Sequence, residues 1–173
     1  ELPMEIPAIL SNHRDLEEVA ACYGIPFEHL PVTRETREAA FATLQERLRA
    51  LQADTVVLAR YMQILPPTLC TEFRHRLINI HHSFLPSFVG ARPYHQAFAR
   101  GVKLIGATCH YVTEDLDAGP IIEQDVARIR HDDQVADLVR KGRDVERWVL
   151  SRGLRYHLEG RVLTHGNKTI VFD

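Results

Sequence analysis

Short apolar runs separated by helix-length segments fill the first hundred residues, and this alternation restricts the fold more than any other feature. Ile6–Leu10, Phe27–Val32, Thr55–Ala59 and Leu77–His81 read as strands. Helices are expected after the capping-type residues Ser11 and Asn12 as far as Tyr23, over Thr33–Ala53, after Pro66 and Pro67, and over Tyr94–Arg100. Gly24 with Pro26 just beyond it is a helix stop. Ala40, Leu44, Leu48 and Leu51 recur at spacings of three and four and so line one helix face. Thr55–Ala59 is compact and β-branched, which suits a strand buried on both faces. The alternation predicts an α/β chain with a Rossmann-like, doubly wound, mostly parallel sheet and helices on both faces.

The texture then changes. Leu104–Val112 and Ile121–Ile129 are extended segments joined by a turn over Thr113–Pro120, and they are expected to extend the sheet with mixed direction. A long helix is predicted over Asp133–Leu158, with Val135, Leu138, Val139, Val145 and Val149 on one stripe and Gly142 and Gly153 as interruptions. A hairpin around Gly166-Asn167 closes the sequence. With 173 residues, no repeat and no linker, residues 1–173 are expected to form one domain.

Composition excludes several functions. A formal net charge of −2 gives no electrostatic reason to expect nucleic acid or a membrane surface. No apolar run approaches membrane-spanning length, and Glu1 and Glu5 do not suit a secretory leader. Cys22, Cys70 and Cys109 are odd in number and lack a C-x-x-C pair, which argues against a disulfide framework or zinc site and fits a reducing, cytoplasmic setting.

Chemistry concentrates in two places. Asn79-Ile80-His81-His82-Ser83-Phe84-Leu85-Pro86 closes the fourth predicted strand, at the end where α/β sheets bind ligands. Residues i and i+2 of a strand share a face, so Asn79 and His81 are expected to point together, with His82 turned away. An amide there can donate to a developing oxyanion, and an imidazole can carry a proton near neutral pH. The alternative is a pair of hydrogen-bonded residues at a strand end. Glu114, Asp115 and Asp117 sit in the later turn, where acidic residues with Gly119 and Pro120 are also ordinary turn chemistry. A functional role requires that turn to lie over the end of the Asn79–His81 strand. Tyr61-Met62-Gln63-Ile64-Leu65 follows the third strand, and its apolar members suit either core or a pocket for a flat ring. His81, His82, His95 and His110 show no metal-ligand spacing.

Asn79-x-His81-x-Ser83-x-Leu85-Pro86 together with Asp117-x-Gly119 resembles the signature of formyltransferases that use 10-formyltetrahydrofolate. Gly90-Ala-Arg-Pro-Tyr-His-Gln-Ala, Gly101-Val-Lys-Leu-Ile-Gly-Ala-Thr, Gly119-Pro-Ile-Ile-Glu-Gln-Asp, Lys141-Gly-Arg-Asp and Gly166-Asn-Lys-Thr are similar to the formyltetrahydrofolate deformylase branch, as is His82 after His81. The resemblance covers nearly the whole chain. It implies hydrolysis of 10-formyltetrahydrofolate to tetrahydrofolate and formate, in support of purine synthesis. Asn79 would polarise the formyl oxygen, His81 would stabilise the tetrahedral intermediate and shuttle a proton, and Asp117 would position water. The folate would contact Met62, Gln63, Ile64, Leu65, Leu77, Val112, Thr113, Glu114, Asp115 and Leu116, with Ser83, His110 and Gly119 as support. No metal or separate cofactor is implied; the partners are the folate, water and further copies of the chain in a homo-oligomer. The resemblance also implies an N-terminally truncated catalytic domain, without the family's ACT domain and first βα unit. The rival expectations are formyl transfer to an amine acceptor, and an inactive folate-binding remnant.

Overall fold

A computed structural model describes residues 2, 4–85 and 93–172. Pro86–Arg92, within two of the sequence motifs, therefore lies outside the described residues. The chain divides into two compact units, Glu1–Asp54 and Thr55–Asp173.

In the first unit, β1 (Ile9–Ser11) pairs in parallel with β2 (Phe27–His29), with α1 (Glu17–Cys22) between them in sequence and α2 (Arg37–Ala50) following. Ser11 and Asn12 do not cap α1. Ser11 is the last residue of β1, and its Oγ accepts the His13 amide at 3.2 Å. A serine that bonds its own neighbouring backbone stabilises a turn in place of a helix start. The stop at Gly24 is as expected. Gly24 has φ +67°, its amide donates to the Ala21 carbonyl, and Ile25 donates to Ala20, which satisfies the last carbonyls of α1. Arg47 of α2 grips Glu28 of β2 through Nε and Nη2 at 2.7 and 2.5 Å. That contact holds the Glu28 carboxyl below its ordinary value.

The second unit carries a four-stranded sheet in the order β3 (Val56–Ala59), β4 (Leu77–His81), β5 (Leu104–Tyr111), β6 (Ile121–Arg128). Strands β3 and β4 are parallel, with α3 (Pro67–Glu72) between them in sequence; β5 runs antiparallel to both β4 and β6. The parallel pairs thus lie in the alternating part of the chain, and the antiparallel ones where that alternation stops. The fold is mixed α/β. A hairpin of β7 (Val162–His165) and β8 (Lys168–Val171) ends the described chain.

Two helices complete the unit: α4 (Pro93–Arg100) and α5 (Val135–Leu158). The long α5 lies across β5 and β6 and reaches β4. Its buried stripe is Leu138, Gly142, Val145, Val149 and Gly153. The two glycines do not interrupt it. A Cβ on Gly142 would stand 2.1 Å from the Tyr94 hydroxyl, and one on Gly153 would stand 2.6 Å from Cys109 Sγ. Both positions let α5 approach closer than any side chain would permit, which outweighs the propensity loss of about 1 kcal/mol per glycine. Burial pushes the Cys109 thiol up to about 12, with the Glu123 charge adding to it.

Strand β3 corrects one expectation. It is not buried on both faces, because Val57 is 37 % exposed and Ala59 is exposed too. It lies at one end of the strand order, beyond the strands that α5 covers. Among the described residues, no helix is long and apolar enough to cross a membrane.

Candidate active site

Strand β4 begins and ends where its sequence pattern predicts, at Leu77 and His81. Leu77, Ile78 and Ile80 are buried, which fixes the strand and so the direction of Asn79 and His81. Asn79 sits opposite His110 of β5 in the ladder. Its Nδ2 lies 3.3 Å from His110 Nε2, while His110 Nδ1 lies 2.9 Å from the Tyr111 carbonyl oxygen. A carbonyl only accepts, so His110 Nδ1 carries a hydrogen, while Nε2 faces the Asn79 amide. The backbone thereby fixes the His110 ring, and His110 orients Asn79.

The 113–120 turn brings a carboxylate to the same point. Asp117 Oδ2 is 3.4 Å from His81 Nδ1, and Oδ1 is 3.7 Å from His110 Nε2. The second distance is too long for a hydrogen bond and describes an electrostatic contact. His110 is nevertheless the main influence holding the Asp117 carboxyl below its ordinary value; burial opposes it, and His81 and His82 add to it.

The His81 ring is buried, and burial lowers its pKa from the usual 6.5, opposed by Asp117 and reinforced by His82 and His110. It is therefore neutral at pH 7. With Nδ1 facing a carboxylate, the hydrogen belongs on Nδ1 and the lone pair on Nε2. No group among the described residues hydrogen-bonds His81 Nε2, a buried atom. An amide donor, a neutral imidazole and an ionised carboxylate are thus assembled at one strand end. Among the described residues, no three of His, Cys, Asp and Glu gather so as to hold a metal ion.

His82 departs from expectation. It does not point away, because β4 has already ended at His81; its ring stacks on His81 with centroids 5.0 Å apart. The two-residue alternation holds only inside a strand.

Beside the triad lies a small cavity of about 50 Å³. Gln63, Ile64 and Leu65 line one side, and Val112, Thr113, Glu114, Asp115 and Leu116 the other, with Asn79, His110 and Asp117 at its polar end. Leu58 of β3 and Tyr61, the first residue of the 61–65 stretch, join the lining. Two expected pocket residues lie elsewhere. Met62 is 69 % exposed and outside the lining. Leu77 is wholly buried, and only its carbonyl reaches the region, accepting the Val112 amide at 2.8 Å. Ser83 also stands apart. It is buried, its carbonyl accepts the Thr108 hydroxyl at 2.9 Å, and it borders a different cavity. Gly119 supports the site through space: a Cβ there would meet the Tyr111 carbonyl oxygen at 1.8 Å.

Residues 2–154 match the formyl transferase family. The chain belongs to that family. Among its formyl transferase relatives, a formyltetrahydrofolate deformylase from Synechocystis sp. is 55 % identical over 172 residues, covering 99 % of this chain and 60 % of that protein. One from Escherichia coli is 49 % identical, covering 98 % and 61 %. The chain thus spans about three fifths of the length of these relatives. A crystal structure of a formyltetrahydrofolate deformylase from Pseudomonas syringae pv. tomato superposes with a TM-score of 0.96 at 64 % identity, covering all of this chain and 58 % of that one. A glycinamide ribonucleotide transformylase from Symbiobacterium toebii is more distant, with a TM-score of 0.89 and 34 % identity, covering 99 % of this chain and 82 % of its own.

Proposed function

We propose that residues 1–173 act as the catalytic domain of a hydrolase that cleaves 10-formyltetrahydrofolate to tetrahydrofolate and formate. The observation that carries this reading is the convergence of Asn79, His81 and Asp117 at the end of β4. Similarity to formyltetrahydrofolate deformylases about half identical along almost the whole chain supports this substrate.

The chemistry follows from the groups. One N–H of Asn79 is directed at His110, which leaves the other for the formyl oxygen. Neutral His81 takes a proton from water through Nε2 while Asp117 stabilises the imidazolium that forms. The water oxygen bonds to the formyl carbon, and Asn79 donates to the oxyanion. His81 then returns the proton to N10, the carbon–nitrogen bond breaks, and formate and tetrahydrofolate leave. The folate ring is assigned to the cleft between residues 63–65 and 112–116.

The test is formate release from 10-formyltetrahydrofolate without added amine. Release at a steady rate is expected. Turnover only when an amine acceptor is supplied would replace this reading with formyl transfer, and tight binding of a folate analogue without turnover in either assay would leave a binding module.

A further inference from the structure

The Asp117 turn has a tie outside the catalytic groups. Asp117 has φ +52°, a backbone conformation uncommon for a residue with a side chain, and one that persists only where the surroundings enforce it. Within the turn, the Thr113 hydroxyl donates to the Asp115 carbonyl at 3.1 Å and the Ala118 amide meets the same carbonyl at a long 3.4 Å, while the Tyr111 amide closes the base on the Pro120 carbonyl at 2.9 Å. Next to Asp117 itself, a tie from outside the turn comes from the β7–β8 hairpin, where Asn167 Nδ2 donates to the Ala118 carbonyl at 2.9 Å. Thr169 Oγ1 donates to the Ile121 carbonyl at 2.5 Å, so the hairpin grips the chain on the far side of Gly119 as well. Residues 116–119 and 167–169 line an open groove of about 580 Å³ beside these two bonds. Gly166, at φ +58°, takes the first position of the two-residue hairpin turn between His165 and Lys168, leaving the amide of Asn167 to reach across.

We infer that Asn167 is a positioning residue: its side-chain amide, acting through the Ala118 carbonyl, holds the Asp117 carboxylate against His81. The inference rests on the hydrolase reading for its effect on turnover, and on geometry alone for its effect on His81. Asn167→Ala and Asn167→Asp remove the donor. Each is expected to lower kcat for formate release by about 10–100-fold, the scale of a misplaced catalytic group, with KM within about twofold. Asn167→Gln keeps an amide and is expected to recover most of kcat.

A second readout does not depend on turnover. The Asp117 charge raises the His81 pKa, so in Asn167→Ala the NMR titration midpoint of His81 is expected to fall below that of the parent, and in Asn167→Gln to stay near it. Thermal melts select variants whose hairpin remains folded. An unchanged His81 midpoint in folded Asn167→Ala would overturn the inference, as would equal loss of kcat in the Gln and Ala variants. A parent that releases no formate yet shows the His81 shift on Asn167→Ala would remove the hydrolase reading and keep the positioning role.

Discussion

The two halves of the site are held in different ways. Asn79 and His81 stand on β4, a strand paired on both sides and packed on Leu77, Ile78 and Ile80. Asp117 stands on a turn whose conformation is unusual and whose ties are single hydrogen bonds and one glycine contact. The strand fixes direction through packing that would be there without any chemistry. The turn fixes direction only through contacts specific to it. The groups proposed for acid–base and oxyanion work thus stand on a strand paired on both sides, and the carboxylate proposed to tune them stands on a turn.

Substitutions can break this contrast. The largest effect is expected at His81. His81→Ala should lower kcat by about 10²–10⁴-fold with the melting temperature nearly unchanged, measured by formate release and thermal denaturation. Asn79→Ala should cost about 10²–10³-fold in kcat, the scale of one lost oxyanion donor. Gly119→Ala tests the turn: the new methyl cannot fit 1.8 Å from the Tyr111 oxygen, so the backbone must shift. A destabilisation of about 1–3 kcal/mol is expected, with loss of turnover exceeding what the folded fraction accounts for.

A pH profile sharpens the comparison. His81 must be neutral to accept a proton, and its pKa lies below 6.5, so kcat/KM should rise with pH through an apparent pKa below 6.5 and then level. Asp117→Asn removes the charge that raises this pKa, so the rising limb should move to lower pH as the plateau falls. A limb that moves upward would exclude Asp117 as the partner of His81. The smallest effect is expected from Ile64→Ala at the half-exposed rim of the cleft, with KM up about fivefold and kcat unchanged.

The sequence made the strand half legible. Apolar residues flanking Asn79 and His81 gave β4 its bounds and facing, because strand burial has a fixed period. It also placed the turn between β5 and β6. Whether that turn lies over the end of β4 depends on the antiparallel register Asn79↔His110, which no local pattern records. Asn167 was legible as a hairpin residue and as part of the Gly166-Asn-Lys-Thr likeness, but not as a partner of Ala118, because that bond spans 49 positions. His82 was misjudged since a periodic rule was carried one residue past the strand. The glycines of α5 read as weak points for a related reason: propensity describes an isolated helix, and the close approach to Tyr94 and Cys109 belongs to the packed one.

The contact of Gly153 with Cys109 has a practical consequence. Cys109 is sealed beneath α5, and Cys70 is buried with its thiol pushed up by desolvation and by the Glu114 charge. Cys22, in α1, is exposed. A maleimide dye should therefore attach at one place in the folded protein and at three after denaturation, giving a fluorescent reporter on the first unit that leaves the chemistry of the second untouched.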